Sequence, residues 1–132
     1  MTRVNITPRQ YDIATLILRL VFGGFMLYSH GWPKLLRLFG DDPIKFADPF
    51  GLGMTVSIVL TIFAEFLCAA LILIGLKTRL ATIPLMITML VAALVIHASD
   101  PFGDKEMALI YLAGYVVIFL VGPGRYSVDE RL

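Results

Sequence analysis

Four stretches of this chain are apolar at nearly every position, and the polar residues gather between them. In "YDIATLILRLVFGGFML" only Asp12 and Arg19 carry charge, and "MTVSIVLTIFAEFLCAALILIGL" holds one ionisable carboxylate, Glu65. A helix of a soluble four-helix bundle keeps a polar face at helical period, and these stretches show almost none. Their lengths approach the roughly 20 residues that cross a hydrocarbon core of about 30 Å. The pattern predicts an all-α chain, an integral membrane four-helix bundle with antiparallel neighbours and helices over about 11–30, 54–76, 79–98 and 105–122.

The connections differ in length and character. The first, Gly31 to Gly53, is long and mixes Phe39, Ile44, Phe46 and Phe50 with Asp41, Asp42, Lys45 and Asp48, which suits a segment lying at the membrane interface. Pro43 and Pro49 divide it into short pieces. "GLKTR" is a tight turn with a stop at Gly75 and Thr78 as candidate cap of the third helix, and "SDPFGDK" closes the next hairpin. Residues 1–132 form one transmembrane domain without internal repeat.

Composition strengthens the membrane assignment. With 58% hydrophobic and 16% charged residues, the chain is more apolar than one soluble core of 132 residues requires. Net charge of +1 and the absence of a Lys/Arg run exclude nucleic acid as a partner and leave the bilayer. The first ten residues are polar and no small-residue cleavage site follows the first apolar stretch, so that stretch is expected to stay as a helix. Arg3, Arg9, Lys77, Arg79, Arg125 and Arg131 fall on the side of the termini, against Lys34, Arg37, Lys45 and Lys105 opposite, which favours cytoplasmic termini. Cys68 is the only cysteine, so the chain has no internal disulfide or two-thiol cycle; electron chemistry here needs a bound cofactor, a substrate or a partner.

Charges inside the spans carry the first functional signal. Arg19 and Glu65 lie at matching depths if both helices are straight, and an isolated ion at the bilayer centre costs at least about 2.5 kcal/mol, so the two are expected to pair across helices one and two. Such a pair either fixes helix register or handles protons and anions. Gly23 and Gly24, one turn on, allow a neighbouring helix close.

The second signal is at the other end. His30, in "YSHGWPKLLRLFG", closes the first predicted helix, His97 closes the third and Glu106 opens the fourth. Arg19, Gly23, Met26 and His30 advance by four, three and four residues and share one face. Lys34 follows His30 by one turn, and Trp32 between them has the amphipathic ring typical of a headgroup anchor. Two readings of "HGWPK" stand at this point, a plain interfacial helix end and part of a site. On the second, His97, Glu106 and His30 are the catalytic candidates, and Lys34, Trp32, Arg19 and Glu65 the ligand-binding ones. No tight metal-ligand spacing accompanies the histidines, so no metal site is assigned, and Ser29, Ser57 and Cys68 lack the context of a nucleophile.

In order and spacing, Arg19 with Gly23, the His-Gly-x-x-Lys element at His30, Gly31 and Lys34, Glu65, the turn from Gly75 to Arg79, His97, Glu106 and the closing "GPGRYSVD" resemble the DoxX family of small four-helix membrane proteins, from about Leu18 to Asp129. The resemblance implies a bacterial inner membrane protein linked to redox chemistry. A related subunit belongs to a thiosulfate:quinone oxidoreductase, and some members are associated with oxidative-stress complexes containing superoxide dismutase and a sulfur transferase. The expectation is a subunit binding a quinone-like ligand or a small anion such as a sulfur oxyanion near the outer face, with redox partner proteins and a homo-oligomer both compatible. A whole oxidase in one chain is not expected, since no haem or iron–sulfur motif is present. The alternative, by analogy with distant relatives that act as cargo receptors, is a non-catalytic scaffold or adaptor for a partner protein or lipid.

Overall fold

The computed structural model describes residues 5–132; Arg3, counted above with the termini, lies outside them. Those residues are all-helical, with no strand among them. Helix α1 runs Pro8–Leu38, α2 Met54–Ile74, α3 Thr78–Ile96 and α4 Phe102–Val121, and a last 3-10 turn covers Asp129–Arg131. The first three are long and apolar enough to cross a membrane. The fourth is 20 residues long and carries Asp104, Lys105 and Glu106 near its start.

The ends have local causes. Thr7 and Gln10 form a reciprocal capping box and Pro8 occupies the first helical position, so α1 starts three residues before the predicted Tyr11. At its other end α1 does not stop at His30. It widens into π-helical turns over Leu20–Phe25 and Leu27–Gly31, then resumes as α-helix over Trp32–Leu38, with Pro33 in the first turn of that stretch, where a missing N–H costs least. Similar π-helical segments interrupt α2 at Phe63–Cys68 and end α3 at Ala92–Ile96.

The core is a seam of Met26, Ala64, Cys68, Ala69, Leu85, Met89, Tyr115 and Ile118. Helix α1 approaches α2 at Gly23, where an added Cβ would lie 2.8 Å from the amide nitrogen of Leu73, and touches α4 at Gly114, which leaves room for the Phe22 ring. The α2–α3 turn passes through Gly75 at φ 76° and Lys77 at φ 48°, both left-handed. Thr78 is not the cap expected from sequence. It is the first helical residue, and the cap comes from far along the chain, as Asp129 accepts the N–H groups of Lys77 (2.7 Å) and Thr78 (3.0 Å).

Candidate functional site

Three of the π-helical segments converge on one end of the molecule, carrying His30 on α1, Glu65 on α2 and the approach to His97 on α3. A π-turn displaces one residue from the α-helical register and commonly marks a functional position. Between these segments lies a cavity of about 490 Å³. Its walls are apolar, including Met26, Leu60, Ile87, Met89 and Met107, and Phe46, Pro49, Phe50 and Leu52 of the first connection also line it. Its polar residues are His30, Lys34, Ser57, Thr61, Glu65, Thr88, His97, Asp104 and Tyr111.

The centre of this polar set is an ion pair. Lys34 Nζ donates to Glu65 Oε2, with the carboxylate side chain 5% exposed and the lysine 19%. Its ammonium, carried from α1, meets a carboxylate of α2 that apolar surroundings would otherwise penalise heavily. Gly31 makes the approach possible, since a Cβ there would sit 2.2 Å from the Glu65 carbonyl oxygen. The His30 ring packs edge-on against Tyr111, with centroids 5.7 Å apart and planes at 86°. His97 Nδ1 lies 2.8 Å from Asp100 Oδ2, a carboxylate that orients the imidazole.

This geometry corrects the expected pairing. Arg19 does not meet Glu65; it is buried at the opposite end of the core, where its guanidinium donates to the carbonyls of Leu73 (3.2 Å) and Tyr126. Arg19 thereby satisfies the Leu73 carbonyl in the last turn of α2 and ties it to the C-terminal tail. The predicted outer cluster also changes membership. His30, Lys34 and His97 line one cavity, whereas Glu106 is exposed on the far side of α4, because Asp104, Met107, Ala108 and Tyr111 occupy the inward face at intervals of three, one and three. Trp32 is outside the cavity, 47% exposed and stacked on Phe66 at 6.3 Å.

Sequence reasoning missed Tyr111, Thr61, Thr88 and Asp104. Tyr111 and Tyr115, four residues apart, are the one signal available: on an apolar span they place two hydroxyls on one face, and that of Tyr115 donates to the Phe22 carbonyl at 2.9 Å.

An all-helical chain with three membrane-length apolar helices defines an integral membrane protein, here one with a polar-centred cavity between the interrupted turns of those helices. The sequence model of the DoxX family matches residues 14–98, and the chain belongs to that family. It is 34% identical over 82 residues to an uncharacterized membrane protein of Mycobacterium tuberculosis, covering 52% of this chain. The chain spans about half the length of that relative, 50%. No solved structure matches it.

Proposed function

We propose that this protein is a redox-linked membrane subunit whose cavity binds a quinone-like or small anionic ligand, in a bacterial inner membrane with α4 spanning as the fourth helix of an antiparallel bundle and both termini cytoplasmic. The observation that carries the ligand site is the Lys34–Glu65 pair, which lines a largely apolar cavity together with His30. Apolar walls with a few convergent polar groups are the usual form of a small-molecule site, and a volume near 490 Å³ suits a ring-sized headgroup.

A quinone, when bound, supplies two-electron, two-proton chemistry, with electrons from a partner protein because the lone Cys68 is no redox centre. The chain's own residues would manage charge and protons. Lys34 is placed to stabilise negative charge on a ligand oxygen, Glu65 to exchange a proton with it, and His30, His97 and Asp104 to relay protons to the membrane surface.

The test is ligand retention. Protein purified from native membranes should carry a quinone detectable by mass spectrometry, and quinone analogues should quench Trp32, the only tryptophan, stacked beside α2. Lys34→Met and Glu65→Gln should each weaken binding by about tenfold or more, the value of one charged hydrogen bond. Unchanged affinity in both variants would overturn the assignment of the site.

A further inference from the structure

The cavity does not have equal walls on all sides. Residues Met54–Ile62 of α2 pack on the Trp32–Leu38 end of α1, and Ala92–Ile96 of α3 packs on α4. Contact between Met54–Ile62 and α3 is sparse, whereas Phe63–Cys68 and Ala69–Ile74 of α2 pack closely on α3 through the core. Leu60 on α2 and Ile87 on α3 both line the cavity, yet they are 54% and 57% exposed. The cavity therefore reaches the apolar outer surface between α2 and α3, as it also reaches the surface at Phe50 (64% exposed) and Leu52 (53%) of the first connection.

Its water side is built differently. The first connection contributes Phe46, Pro49, Phe50 and Leu52 as a roof. That roof is fastened at both ends. Asp48 Oδ1 accepts from Leu52 N (2.9 Å) and Ser57 Oγ (3.0 Å), Asp48 Oδ2 accepts from Gly53 N (2.9 Å), and Arg37 donates to the Lys45 carbonyl at 2.6 Å with its guanidinium 6.0 Å from the Phe46 ring centre. A fastened aromatic roof over an apolar side gap is the reverse of what a water-borne solute needs.

We infer that the cavity is loaded sideways from the bilayer, between the upper halves of α2 and α3, and that its occupant is an uncharged, lipid-soluble molecule rather than a free anion. The ion pair agrees with this selection. Lys34 is already neutralised by Glu65, so an incoming anion would have to displace a buried carboxylate from its cation, whereas a neutral hydrogen-bonding headgroup adds to the pair without breaking it. The inference rests on reading the cavity as a ligand site, but its route is testable with no ligand at all.

The experiment uses thiol labelling of the full chain in phosphatidylcholine nanodiscs, which leave both faces open to water. In a Cys68→Ser background, Thr88→Cys places the reactive group on the cavity wall. A small uncharged maleimide should label it at least about tenfold faster than a charged maleimide, after correction for their rates with free thiol, since a charge entering an apolar slot costs several kcal/mol. Leu60→Trp should slow the uncharged reagent and Leu60→Ala speed it, while Asp48→Ala, which loosens the roof, should leave its rate unchanged. Equal labelling by the charged reagent overturns the inference, as does a rate that responds to Asp48→Ala and not to either Leu60 variant. Gel filtration and helical circular dichroism identify any variant that has not folded, and the opposed Leu60 changes keep the test decisive if one is lost. Failure of quinone analogues to bind would count against the redox reading and leave the labelling outcome as it stands.

Discussion

A carboxylate with 5% side-chain exposure among apolar walls is costly to bury without a charged partner, and Lys34 is the cation that reaches it. Removing one partner leaves the other buried and uncompensated. Lys34→Met should therefore destabilise the protein by about 3 kcal/mol or more, and Lys34→Met with Glu65→Leu should recover part of that loss, as neighbouring groups in one pair are not additive. Thermal unfolding of the detergent-solubilised protein measures both; strictly additive losses would refute the coupling. Gly31 belongs to the same contact. Its substitution by Ala drives a methyl into the Glu65 backbone and should cost about 1–3 kcal/mol, while Gly103→Ala, which meets nothing within 4 Å, is the matched control.

At the level of elements, the tail after α4 acts as a clasp on the α2–α3 turn. Val128 N donates to the Ile74 carbonyl at 3.2 Å, Asp129 N to the Gly75 carbonyl at 2.9 Å, Arg125 N to Asp12 at 3.1 Å, and Arg19 reaches the Tyr126 carbonyl from within the core. Asp129 completes it by capping α3. Partial burial pushes its carboxyl upward, but the N–H groups of Thr78 and Lys77, the Thr78 hydroxyl and the nearby Arg19 guanidinium outweigh this and hold it below the usual carboxylate range. A depressed folded-state pKa adds stability above the unfolded value, about 3.9, and that stability is lost as pH falls through the folded value. The melting temperature of the wild type should thus exceed that of Asp129→Asn at neutral pH, and the gap should close below about pH 4. A gap constant from pH 7 to pH 3 would show that the carboxylate charge is not what the cap uses.

For the whole molecule, the contact of Asp12 with the tail puts the start of α1 and the end of the chain at one end, with the cavity and its roof at the other. If the helices span the membrane as proposed, Asp42→Cys and Glu130→Cys in a Cys68→Ser background should label oppositely with an impermeant thiol reagent in intact cells. Asp42→Cys should react and Glu130→Cys be protected. Labelling of both would remove the antiparallel four-span arrangement, and reversal would turn the cavity towards the cytoplasm.

The apolar stretches were sufficient by themselves to determine an all-helical chain and its membrane residence, because burying backbone polar groups in lipid leaves so few solutions. They also exposed Arg19, Lys34, Glu65 and His30 as residues needing an explanation. Which groups meet was decided only by the tertiary structure. Counting along a straight helix gives height but not azimuth, and the π-turns at Leu27–Gly31 and Phe63–Cys68 alter the register on which any facing argument depends. Helix α1 continues through "HGWPK", so Lys34 stands on the bundle wall and not beyond its end. Arg19 found its partners in backbone carbonyls, which every residue possesses and no side-chain pattern can mark. The same holds for the clasp: "GPGRYSVD" is conspicuous as a string, but its purpose appears only when Asp129, Tyr126 and Val128 are seen to close over a turn fifty residues away.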